Sequence, residues 1–145
     1  MEAEDKAQLF ELKTPMLRGG RSNTVLAQTD LMTVTIKYYN EGGENALHTH
    51  PAEDHAFVVL DGAARFYDKD NQATIVKKGQ GILVPKKWYY RFENCGDGPL
   101  ILLRFGAARE KAIRMSPEGK PLPGDSAENK HREGIPIEGR YWEMA

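Results

Sequence analysis

Between residues 24 and 105 the apolar runs are short, and turn chemistry interrupts them every eight to twelve residues. Leu31 to Tyr39 is the clearest strand. Met32, Val34, Ile36 and Tyr38 alternate with Thr33, Thr35 and Lys37, the period-2 signature of a half-buried strand. Thr24 to Gln28 is a candidate strand before it. Asn40 to Glu44 reads as a turn, Ala46 to His50 as a strand, and His55 to Leu60 as another. Asp61-Gly62 carries a hairpin signal into Ala63 to Tyr67. Ala73 to Val76, Ile82 to Val84 ending at Pro85, Trp88 to Phe92, and the near-continuous apolar run Leu100 to Phe105 complete the set. No βαβ alternation, internal repeat or heptad is present. The expectation is an all-β antiparallel barrel or sandwich.

At 145 residues the chain predicts one domain. Three segments are expected: an N-terminal segment over 1–23, a barrel over 24–115, and a Pro/Gly-rich C-terminal arm over 116–145. In the arm, Pro117, Pro121, Pro123 and Pro136 oppose helix and central strand alike, yet Ile135, Ile137, Tyr141, Trp142 and Met144 are too apolar for a simple disordered tail. The arm is expected to dock on the barrel or on a partner subunit; the alternative is an unpacked tail. A formal net charge of −1 offers no footprint for nucleic acid. The single cysteine, Cys95, excludes an internal disulfide and suits a reducing compartment. The charged start Met1 to Lys6 does not read as a secretory signal, and no apolar run approaches the roughly 20 residues of a membrane span. A cytoplasmic location is expected.

Three of the four histidines lie within His48-Thr49-His50-Pro51-Ala52-Glu53-Asp54-His55. His48 and His50 alternate, so one strand aims both rings the same way. Pro51 to Asp54 reads as a turn, after which His55 re-enters a strand beside them. Three neutral imidazoles from adjacent strands suit a divalent metal; the competing reading is a polar hairpin surface. Glu44, Glu53 and Asp54 flank the histidines, either orienting an imidazole or standing as solvated turn carboxylates. Arg65, Arg91 and Arg104 fall on expected strands, where an inward arginine would clamp a carboxylate substrate. Arg104 is the odd one, set within an apolar run. Phe57, Val59, Trp88 and Phe92 share parity with the metal residues on their own strands, as pocket walls or as plain core. His131 reads as a solvated residue.

The spacing resembles the cupin superfamily, the small single-domain cupins in particular. Their first motif runs Gly, five residues, His-x-His, three or four residues, Glu, six residues, Gly; here Gly42, His48, His50, His55 and Gly62 keep that spacing, with His55 where the family has Glu. In the second motif Gly79, Pro85 and Asn94 keep their places, while Lys87 stands for Gly and Tyr90 for His. The resemblance implies an antiparallel jelly roll around a metal, often paired into homodimers. By position it assigns His48, His50, His55 and Tyr90 to the metal. Tyr90 would act as a phenolate ligand, as a hydrogen-bonding or proton-transferring catalytic group, or as an inward aromatic. Phe57, Trp88, Phe92 and Arg104 are the candidate substrate contacts.

A three-imidazole set is similar in ligand type to that of the iron cupin dioxygenases. The expected cofactor is therefore one divalent transition metal, iron first, with zinc, manganese, nickel and copper as alternatives. The function expected is a metal-dependent dioxygenase or other oxidoreductase acting on a small organic molecule. The alternatives are a non-oxidative isomerase, lyase or hydrolase, and a non-catalytic binding or sensor module.

Overall fold

A computed structural model describes residues 6–108, 114–122 and 134–145; His131 lies outside the described residues. The strands are β1 (Lys13–Leu17), β2 (Arg21–Gln28), β3 (Met32–Tyr39), β4 (Gly43–His48), β5 (Glu53–Asp61), β6 (Ala63–Asp68) and β7 (Ala73–Lys77). They continue as β8 (Gly81–Val84), β9 (Tyr90–Asn94), β10 (Leu100–Ala108), β11 (Arg114–Met115), β12 (Pro121–Leu122) and β13 (Pro136–Glu143). No helix occurs among the described residues, so none is long and apolar enough to cross a membrane.

Two antiparallel sheets face each other. One runs β2-β3-β10-β5-β8 and the other β4-β9-β6-β7, and successive strands keep switching between them. This is a jelly roll, with no ladder joining the two sheets into a closed barrel among the described residues. The expected all-β jelly-roll class is the observed one. The switch from β5 to β6 corrects the Asp61-Gly62 hairpin expectation. β5 pairs with β10 and β8, whereas β6 pairs with β9 and β7, so the turn is a corner between sheets. Gly62 takes φ +80°, and an added Cβ would sit 2.5 Å from the Pro99 carbonyl oxygen, so both conformation and space require glycine.

Between the sheets lies an apolar interior of Tyr39, Phe57, Val59, Phe66, Phe92 and Leu102, with their neighbours. A second apolar layer covers the outer face of the five-stranded sheet. There Val34, Ile36, Tyr38, Leu60, Ile101 and Leu103 meet Leu17 of β1, Phe10 and Leu12 before it, and Trp142 of β13. β10 is therefore buried on both faces, which explains its unbroken apolar run. β3 departs from expectation in the same way. Its alternation predicts apolar residues inside and polar ones in solvent, yet Thr35 and Lys37 are 2% and 7% exposed. The apolar set of β3 faces the outer layer, and the polar set faces the space between the sheets.

The outer layer is closed by β13, which pairs antiparallel with β1, Thr14 opposite Trp142. Trp142 also donates its indole N–H to Asp61 Oδ2 at 2.9 Å. Pro15 and Pro136 sit in this two-stranded ribbon rather than in a central strand, as missing N–H donors demand. Sequence alone left β1 unassigned because Pro15 and Gly19-Gly20 read as breakers.

Candidate metal centre

The first two histidines reach one point from different kinds of backbone. His48 ends β4 opposite Tyr90 of β9. His50 follows the strand, where Thr49 bridges Met115 in both directions at 2.9 Å and the His50 carbonyl accepts from Lys87 N–H at 3.1 Å. His55 lies two residues into β5, opposite Gly106 of β10. The ring centroids are 5.2 Å apart for His48–His50 and 4.1 Å for His50–His55. All three rings are buried.

Two carboxylates join them. Glu44 shares the inward face of β4 with Ala46 and His48, and Glu53 shares that of β5 with His55 and Phe57. Glu44 Oε1 lies 3.3 Å from His48 Nε2. Glu53 Oε1 touches His55 Nε2 and lies 3.8 Å from His50 Nδ1. The ligand atoms thus form two compact groups, Glu44-His48-His50 and His50-Glu53-His55, with His50 common to both. With His55 in place of the family's Glu, Glu44 and Glu53 still leave acidic charge at the site. Gly106 helps to seat it, because a Cβ there would come within 2.8 Å of Glu53 Oε2.

The hydrogen bonds leave ligand lone pairs open. His48 Nδ1 is 2.7 Å from the Ala46 carbonyl, which can only accept, so Nδ1 carries the proton and Nε2 presents a lone pair. That lone pair faces a carboxylate oxygen, an arrangement that calls for a cation between them. His50 has no hydrogen-bond partner on either ring nitrogen among the described residues, although both atoms are buried. An unpartnered buried imidazole is costly unless a ligand completes it. This donor set, imidazole nitrogen with carboxylate oxygen, fits a divalent transition metal.

Electrostatics keep the groups in ligand form. Burial, then the neighbouring His55 and His48, pushes His50 down to about 2, so the ring is neutral. Burial and Arg104 outweigh the opposing pull of Glu53 and lower His55 as well. For Glu44 burial acts upward, but Lys37, His48 and Arg114 together hold the carboxyl well below the usual range. Glu53 is held down against burial by His55 and Arg104. Burial, reinforced by Glu44, raises Tyr90 well above the ordinary phenol value, which keeps the hydroxyl protonated.

The remaining expected site residues divide. Tyr90 Oη is 3.1 Å from His55 Nδ1, and its ring lies 4.4 Å from that of His48. Its hydroxyl meets the back of an imidazole, and in the tautomer with a lone pair on His55 Nε2 it accepts the Nδ1 proton. Arg104 points inward, its Nη2 3.1 Å from Glu53 Oε1 and 2.8 Å from His55 Nε2. Phe57 and Phe92 are wholly buried, their rings 5.6 Å apart in the apolar interior, with Phe57 5.9 Å from His55. Trp88 is not inward. β9 begins only at Tyr90, because Lys87 adopts φ +72° in a turn, and the indole is 52% exposed beside a separate cavity. Arg65 and Arg91 lie away from the centre: Arg65 is 3.5 Å from Glu93, and Arg91 bonds Asn71 at 3.0 Å. Asp54 is exposed and accepts from Lys86 N–H at 2.8 Å, tying down the turn after Pro85.

Sequence reasoning weighed Glu44 and Glu53 as imidazole-orienting groups or solvated turn carboxylates, not as ligands, and did not single out Lys37 or Arg114. The missing signal was parity: both glutamates stand an even number of residues from a histidine on the same strand. Arg114 reaches the site only because β11 is anchored at Thr49, which no local pattern announces.

A jelly roll enclosing a His/Glu cluster that could hold a metal ion defines the class of β-protein. Residues 36–105 match the cupin domain family model, so the chain carries a cupin domain over that span. An uncharacterised protein of Methanocaldococcus jannaschii is 34% identical over 62 residues, 43% of this chain and 49% of that protein. The chain thus spans about half the length of this curated relative. An uncharacterised conserved protein with a double-stranded β-helix domain from Klebsiella pneumoniae subsp. pneumoniae superposes with a TM-score of 0.66 at 22% identity, over 80% of this chain and 96% of that one. An oxalate oxidase in complex with the substrate analogue glycolate gives 0.52 at 17% identity, over 64% and 53%. Both structural likenesses are of fold.

Proposed function

We propose that the protein is a cytoplasmic metal-dependent enzyme acting on a small organic molecule, an oxidoreductase of the dioxygenase type. The observation that carries this reading is His50, buried with neither ring nitrogen hydrogen-bonded among the described residues and shared by two groups of two imidazoles and one carboxylate. Two histidines and a carboxylate with open positions are the ligand type of non-haem iron oxygenases. His48, His50 and His55, with Glu44 or Glu53, would hold the ion, and a bound iron would supply the redox chemistry toward dioxygen. Around it Tyr90 holds a proton on Oη and steadies the His55 ring. Arg104 fixes the Glu53 carboxylate. Phe57 and Phe92 keep water from the inner side.

A non-oxidative isomerase or lyase is the second reading. It is favoured by the presence of two carboxylates, Glu44 and Glu53, each grouped with His50, so that one remains as a proton acceptor when the other holds the ion. A homodimer belongs to the same proposal, supported by β2 standing as the outer strand of its sheet, and light scattering tests it.

Elemental analysis of the purified protein, wild type beside His50→Ala, separates the readings. About one equivalent of iron, lost in the variant, with oxygen uptake on dicarbonyl or catechol-like compounds, is the expected result. Zinc or manganese lost in the same way, with no oxygen uptake, moves the protein to the non-oxidative class. No metal after reconstitution makes it a binding module.

A further inference from the structure

We infer that the cavity over the histidines receives a small organic oxyanion, a carboxylate or a phosphate ester, held by Arg114, Lys37 and Arg104. This deepens, and rests on, the metal-centre reading above. The cavity measures about 470 Å³, within the range of small-molecule sites, and His50, Glu44 and Glu53 lie on its wall. Lys37, Arg104 and Arg114 line it as well, so three cationic side chains face two carboxylates among the described residues. Those carboxylates already serve both partners: Glu44 meets Lys37 at 3.4 Å and Arg114 at 3.6 Å, and Glu53 meets Arg104 at 3.1 Å.

A divalent ion taking Glu44 or Glu53 as a ligand would draw on the same negative charge. The cations would then line a partly buried space without enough counter-charge, which is costly unless an anion enters. Lys37 cannot simply swing into water, since only 9% of its side chain is exposed.

The hydrogen-bond inventory points the same way. Arg114 Nε and Nη2, and Arg104 Nε, are buried donors that make no hydrogen bond among the described residues, Arg114 Nη2 standing 3.6 Å from Glu44 Oε1. Two open donors on one guanidinium match the two oxygens of a carboxylate or phosphate, which a neutral hydroxyl or amide does not reproduce. Arg114 is presented at this wall by the Thr49–Met115 bridge, so its position follows from the backbone that also carries His50.

Titration calorimetry on the metal-reconstituted full chain tests this, with metal content measured in the same samples. The probes are malonate and pyruvate for the carboxylate source, glycerol 2-phosphate for the phosphate source, and malonamide, pyruvamide and glycerol as neutral counterparts. At least one anion is expected to bind, with its neutral counterpart about 10-fold weaker or absent. Which anion binds assigns the source. Arg114→Gln should weaken that binding about 10- to 100-fold with metal content unchanged. Arg114→Lys, which keeps the charge and loses the fork, should fall between. Metal-loaded wild type that binds no anion, or binds neutral counterparts equally well, overturns the proposal alone, as does undiminished affinity in Arg114→Gln. Wild type that takes up no metal overturns the metal reading and this one with it.

Discussion

His50 and Glu53 carry heavy physical demands within the site. Burial opposes the charged form of both; Glu53 is partnered by His55 and Arg104, whereas neither ring nitrogen of His50 is hydrogen-bonded among the described residues. Glu53→Gln keeps the shape but removes the charge facing His50, His55 and Arg104. It should lower metal affinity about 10- to 100-fold, read by competition with a chelator. The histidines also set an acid limit on the metal-free fold. His50 is held from 6.5 down to about 2, so the unfolded chain binds a proton that the folded site refuses. Stability is therefore unaffected by this group above about pH 6.5 and falls as pH drops through the window toward 2. Glu44, held below its ordinary value, adds loss in the same direction as pH falls below its unfolded value of 4.5. Urea midpoints of metal-free protein should fall between pH 6.5 and 5, and His50→Ala should flatten that slope.

At the scale of elements, the motif positions explain themselves through backbone rather than chemistry. Asn94 donates to the Tyr39, Asn40 and Gly98 carbonyls and accepts from Gly96 N–H, binding the end of β3 to the turn between β9 and β10. Lys87, where the family motif has Gly, takes φ +72°, the region a side chain resists. Lys87→Gly should stabilise the fold by about 0.5–1 kcal/mol in chemical denaturation, the relief of strain being partly offset by glycine's greater freedom when unfolded. The same turn delays β9 to Tyr90 and leaves Trp88 outside, an error of two residues that a hydrophobic pattern cannot detect. Most strands were legible in the sequence for a local reason, since alternation and turn residues act over a few positions. β1 and β13 were not, because a proline-bearing ribbon is stabilised by what it covers rather than by its own pattern.

Across the whole molecule the outer apolar layer is what ties the chain ends to the site. Trp142 packs among the residues over the five-stranded sheet and bonds Asp61, the corner where β5 leaves that sheet for β6. Trp142→Ala should cost about 2–4 kcal/mol in urea denaturation and expose the segment beyond Met115 to limited proteolysis. If the variant matches wild type in both, the layer is not holding the fold.

By itself the sequence determined the strand-and-turn rhythm and the convergence of His48, His50 and His55, because spacing specifies which side chains share a face; the cupin class rested on the resemblance of its two motifs. It could not decide which of two faces is wet. Thr35 and Lys37 of β3 look like solvent residues, and only the covering of the opposite face by β1, Leu12 and Trp142 turns them inward. Nor could it bring Glu44, Glu53, Arg104 and Arg114 to one cavity, since they arrive on four strands paired over long separations. Tertiary structure decided the charge of the site for that reason: local pattern sets direction along a strand, whereas packing sets what that direction meets.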